Sequence, residues 1–131
     1  MRDVRDYVSA NCLNSSGAYA VFAGGEDVDV SAALFPVWAY TDADTPEMLA
    51  TIAALEQNWS RKGLLYWRRL ECSDSRREGA FLAGTFWVAQ YWIMRGELVR
   101  ARRSGRMLGN MPQAFVHAAF IGAVVDLKAA G

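Results

Sequence analysis

Five tryptophans, Trp38, Trp59, Trp67, Trp87 and Trp92, stand in a chain of 131 residues. A tryptophan offers a broad apolar face and one N–H donor, so it serves either as core filling or as a platform at an interface or on a sugar ring. Asp27 and Asp29 form a carboxylate pair two residues apart. Helix capping accounts for Asp29 most simply, because an apolar run follows it directly. The lone histidine, His117, falls in a helical stretch and reads as an imidazole with one satisfied nitrogen. Arg95, Arg100, Arg102, Arg103 and Arg106 make a basic cluster. With no interleaved aromatics and no known motif it reads as a solvated face, not as a nucleic-acid surface. Cys12 and Cys72 are isolated and fit no metal spacing, which predicts reduced thiols in a cytoplasmic protein and no bound metal or cofactor.

The elements that would position these groups are helical. The length allows one domain, residues 1–131, and the balanced formal charge argues against a general polyanion binder. No apolar run reaches the roughly 18 residues of a membrane span, and the first residues, MRDVRDYVSANC, hold no apolar signal core. Residues 1–12 read as a helix end, and Ala18 to Ala23 as a short strand between turn residues. Asp29 is then placed to cap a helix over VSAALFPVWAY, kinked at Pro36. In DTPEMLATIAALEQNW the signals are sharper. Asp44 or Thr45 suits the N-cap, Pro46 the first turn and Glu47 the positive helix end, while Met48, Ile52, Leu55 and Trp59 recur at helical spacing. GAFLAGTFWVAQYWIMRG reads as a helix bounded by Gly79 and Gly96, and PQAFVHAAFIGAVVDLKAA as the last one. Both are apolar almost all round, which predicts neighbours on several sides. The class is all-α, with about four substantial helices and a long loop from Ser60 to Glu78.

Between the last two helices, GELVRARRSGRMLGNMPQAF runs from a helical stretch ending at Arg103 into a loop crowded with Ser104, Gly105, Gly109, Asn110 and Pro112. Four stretches, taken in order, resemble one family. EDVDVSAALFP (26–36), GLLYWRR (63–69), EGAFLAGTFW (78–87) and GRMLGNMPQAFVHAAFIGA (105–123) are similar to successive motifs of bacterial glycoside hydrolase family 15, which holds glucoamylases, glucodextranases and trehalase-like enzymes. The likeness extends over nearly the whole chain.

The resemblance implies an (α/α)6 toroid of six inner and six outer helices, of which this chain would supply paired helices of the last third, with Met1 falling in mid-toroid. It implies inverting hydrolysis of terminal α-glucosidic bonds, which needs a carboxylic acid and a water-activating carboxylate roughly 6.5–9.5 Å apart. The family's acid lies upstream of anything matched here. Its base sits in a Glu-containing loop just before the GRQLGNFPQAF-type motif, whereas this chain has no acidic residue from Leu98 to Phe115. By that comparison a helix and a loop are missing, and the catalytic base with them. Substrate-holding positions remain. Arg69 matches a sugar-contacting arginine, whose guanidinium presents a fixed fork of donors to vicinal hydroxyls; Arg68 is the alternative if the register differs by one. Glu78 matches the acidic residue of EGAF that faces the sugar, and it also suits a helix N-terminus. Trp67 is placed to stack on a sugar ring or to anchor the loop.

Three functions follow as expectations. The first is a partial family 15 catalytic domain, inactive alone, with α-glucoside binding weak or lost. The second is a non-catalytic helical module that pairs with itself or with a separate upstream half. The third is a small enzyme with a relocated acid–base pair, Glu78 with Glu71 or Asp74, which suffers because an open third of a toroid neither encloses a sugar nor excludes water.

Overall fold

The computed structural model describes residues 2–58, 66–71, 80–104 and 114–130. The chain is all-α: α1 (Arg2–Asn11), a 3-10 helix (Val30–Leu34), α2 (Pro46–Gln57), α3 (Leu82–Met94), α4 (Leu98–Ser104) and α5 (Ala114–Ala129). No β-strand occurs among the described residues, only two isolated bridges. The four longer helices are those the sequence predicts.

Local chemistry sets their ends. Thr45 caps α2, its hydroxyl accepting from the Met48 amide at 3.4 Å, and Pro46 opens the first turn where its missing N–H costs nothing. Met48, Ile52 and Leu55 then fall on one face and are buried. Thr51 on the same face satisfies its hydroxyl twice, donating to Glu47 O at 2.7 Å and accepting from the Tyr19 amide at 2.9 Å. Gly96, at φ +73°, closes α3 in the left-handed conformation that glycine adopts without penalty.

Two expectations do not hold. Ala18 to Ala23 is not a strand. Tyr19 forms a single bridge to Leu13, and the chain then turns through Phe22–Gly25, with Gly24 at φ +71°, before a ladder can grow. Nor does a kinked helix span Pro36. Asp29 does cap the segment, its carboxylate accepting from the Ser31 amide, but the helix is 3-10 and ends at Leu34 with Phe35 as its C-cap. A proline ring clashes with the carbonyl four residues back, so continuing an α-helix through Pro36 would sacrifice the Ala32 carbonyl, which instead accepts from the Phe35 amide at 3.1 Å.

The core centres on α3, which packs against the 3-10 helix, α4 and α5. Ten of its thirteen residues are buried, so its all-round apolar character is matched by neighbours within this chain. Gly84 lets Val30 approach so closely that a Cβ there would lie 2.7 Å from Val30 Cγ1. Against α5, Gly122 opens room for Gln90, whose amide donates to the Asp126 carboxylate at 2.8 Å. This pair satisfies the polar groups that the two apolar helices bring together. α5 is left partly uncovered, with Ile121 and Val125, one turn apart, both exposed.

Candidate functional site

The alternation Asp27-Val28-Asp29-Val30 sends successive side chains to opposite faces of an extended segment. Val28 and Val30 enter the core, as does Leu70 from the facing segment 66–71. The two segments run antiparallel, with Val30 N–H donating to Arg68 O at 2.8 Å, Leu70 N–H to Val28 O at 3.2 Å, and Asp29 directly opposite Arg69. On the outward face Arg69 therefore lies beside Asp29 and diagonally across from Asp27, within reach of a long side chain.

The diagonal contact is the closer one. Arg69 Nε sits 2.7 Å from Asp27 Oδ2, with the Asp27 side chain 8% exposed and that of Arg69 33% exposed. Both atoms are buried and neither has an aligned hydrogen-bond partner, so the contact is a tight ion pair with the N–H direction off the oxygen. The other carboxylate oxygen, Oδ1, accepts from the Glu71 amide at 2.7 Å. Asp27 is thus tied to the backbone of the segment whose arginine it faces. Arg68 makes a looser pair with Asp29, 3.9 Å apart and largely exposed, and lies 6.0 Å from the Phe81 ring centroid. Trp67 is half-buried and packs against the main core.

This segment is fixed to the start of α3. The Phe81 amide donates to Tyr66 O at 2.8 Å, and Tyr66 is buried. Next to Asp27, Glu26 accepts from the Ser15 hydroxyl at 2.7 Å and from the Ser15 amide, and these bonds hold its carboxyl below the ordinary range. A cavity of about 210 Å3 adjoins the same edge, lined by Tyr19, Asp29, Ser31 and Phe35 among others.

Of the sequence-derived site residues, Arg69 and Trp67 lie on this segment, while Glu78 lies outside the described residues, as do Cys72 and Asp74. Sequence reasoning noted Asp27 only as one of a carboxylate pair with Asp29 and missed its contact with Arg69. Its signal was the alternation of charged and apolar residues, which puts Asp27 on the same face as Asp29. Cys12 is a free thiol, and no group of three or more His, Cys, Asp or Glu side chains among the described residues is placed to hold a metal. No helix among the described residues is long and apolar enough to cross a membrane.

Known proteins share sequence with this chain over nearly all of its length. The trehalase of Mycobacterium tuberculosis is 30% identical over 155 residues, covering 96% of this chain and 23% of that protein. The trehalase of Mycolicibacterium smegmatis is 29% identical, covering 95% of this chain and 22% of that protein. Trehalase 1 of Sulfolobus acidocaldarius is 24% identical over 96% of this chain. The chain is related to the trehalase-like enzymes of glycoside hydrolase family 15. No protein-family model and no solved structure matches it. The trehalase-like chain spans about a quarter of the length of these relatives. The matches to the two mycobacterial trehalases run to 150 and 155 positions, longer than the 131 residues available, so those relatives carry residues within the matched stretch that the trehalase-like chain lacks.

Proposed function

We propose that the chain is part of the catalytic domain of a trehalase-like glycoside hydrolase, the last third of an (α/α)6 toroid, and that it contributes substrate-holding residues without the catalytic carboxylates. Arg69, Trp67 and Glu78 would contact an α-glucoside, with Asp27 orienting Arg69. The observation that supports this reading is the Asp27–Arg69 pair. Unlike an exposed ion pair, this one has a nearly buried carboxylate that is also fastened to the opposing backbone, which fixes one side of the guanidinium. A fixed arginine binds vicinal hydroxyls with less entropy lost than a free one.

By the resemblance, the missing stretch and the family's general base would fall where GELVRAR (96–102) runs into RSGRMLGNMPQAF (103–115). On that reading the chain alone does not hydrolyse trehalose, maltose, isomaltose or soluble starch, because neither the general acid nor the general base is present. Glucose release above a no-protein control, lost on Glu78→Gln, would overturn this and favour a relocated acid–base pair. A second reading, an assembly module that pairs with itself or with an upstream half, is favoured by the exposed Ile121 and Val125 on α5 and by Val99 on α4. The two readings are compatible, since a partner covering α5 would also supply the rest of the site.

A further inference from the structure

A second cavity, of about 660 Å3, opens between α1 and the turn segment 36–45. Arg69 does not line it. The Tyr66–Glu71 segment is bound at Phe81, just before α3, whereas Met94, the last residue of α3, lines this cavity.

The walls are built and held. Arg5 of α1 donates from Nη2 to Ala39 O at 3.2 Å, and its guanidinium lies 5.4 Å from the Tyr40 ring centroid. Tyr40 packs in turn on Phe35 and Tyr19, at centroid distances of 5.0 and 6.2 Å. Ala39 has φ +54°, the only positive φ at a non-glycine among the described residues. That conformation is costly for a residue with a Cβ, and such strain gathers where a site over-determines the backbone. Here the Arg5 hydrogen bond and the Tyr40 amide bond to Phe35 O at 2.9 Å hold it. On the opposite rim Arg95 Nη1 grips Asp44 at 2.6 Å.

The lining chemistry selects the ligand. Ser9, Tyr19, Tyr40 and Thr41 contribute hydroxyls, each able to donate and accept, whereas that of Thr45 already donates to Asp42 O and accepts from the Met48 amide. Asp44 is neutralised by Arg95, which leaves Arg5 and Asp42 as balanced charges. An anion would meet Asp42 and a cation would meet Arg5. A neutral molecule with many hydroxyls and short apolar faces suits both, and the volume is that of a small-molecule site. We propose that this cavity is a second carbohydrate-binding site, taking a neutral mono- or disaccharide and independent of Arg69.

The test is a titration of the uniformly 15N-labelled chain with trehalose and, separately, with glucose, following backbone amide shifts. The expected result is saturable movement at Tyr19, Tyr40, Thr41 and Thr45, weakened at least roughly tenfold by Arg5→Ala and unchanged by Arg69→Ala. Should Arg5→Ala unfold α1, Thr41→Val keeps the shape and removes one hydroxyl, and about a fivefold loss is expected from it. No saturable movement at these amides would overturn the proposal. So would movement confined to residues 66–71 and abolished by Arg69→Ala, or tighter binding of inorganic phosphate than of either sugar at the same amides. Failure of the Arg69 site alone would leave the expected shifts in place.

Discussion

Replacing Asp27 by Asn removes one charge while keeping an oxygen to accept from the Glu71 amide, so the change isolates the ion pair from the hydrogen bond. Exposed ion pairs contribute about 0–1 kcal/mol. Stripping one partner from a fully buried pair costs about 3–5 kcal/mol, because a charge is left in a poor solvent. Asp27 is 8% exposed and Arg69 33%, so the stranded arginine keeps partial access to water and the cost falls between those limits. We expect Asp27→Asn to lower unfolding stability by about 2 kcal/mol, and Asp27→Ala by about 1 kcal/mol more through the orphaned Glu71 amide. Arg69→Met leaves the nearly buried carboxylate uncompensated and is expected to cost as much. In the double variant the losses should not add, with a coupling of at least about 1 kcal/mol. Urea denaturation followed by circular dichroism measures all four corners of the cycle. An Asp27→Asn variant within about 0.5 kcal/mol of the parent, or additive losses, would show that the pair does not hold in solution and would remove the basis for a fixed Arg69.

Gly84→Ala places a methyl against Val30 Cγ1 at 2.7 Å, between α3 and the 3-10 helix, and should cost about 1–3 kcal/mol in the same assay despite the better helix propensity of alanine. Glu56 is partly buried, and desolvation raises its carboxyl above the ordinary 4.5, with Arg100 acting in the opposite sense. A raised folded-state pKa means that the ionised form is disfavoured on folding, so stability from this group is present at low pH and lost as pH rises through the raised value. Glu56→Gln should therefore raise the melting temperature at pH 7, with the gain vanishing as pH falls below 4.5; an equal gain at both pH values would refute the assignment.

The parts of this fold that local chemistry decides are readable in one dimension. Thr45-Pro46-Glu47 announces the start of α2, and Gly96 announces the stop of α3, because caps and left-handed closures involve residues a few positions apart. Asp29 is readable as a cap for the same reason, although the helix it starts is a single short 3-10 piece. What sequence reading misses is decided by distant partners. Arg69 contacts Asp27 across 42 positions of chain, and Arg5 contacts Ala39 across 34. Neither juxtaposition follows from spacing. The supposed strand at Ala18–Ala23 fails because turn residues at its far end outweigh its short apolar run. Conversely, the apolar circumference of α3, which suggests absent neighbours, is covered by the 3-10 helix, α4 and α5, while α5 keeps Ile121 and Val125 exposed.

The central claim is that Arg69 holds a sugar. The most direct measurement follows the Nε–Hε resonance of Arg69 while the 15N-labelled chain is titrated with acarbose. This signal reports on the guanidinium itself and is blind to sugar bound in the cavity beside Arg5. The account predicts a resolved, slowly exchanging resonance in the free chain, a consequence of the burial of that nitrogen beside Asp27, that moves saturably with ligand and stops responding in Asp27→Asn. A resonance that stays fixed through the whole titration, in a chain whose Asp27–Arg69 coupling has been measured, would contradict it.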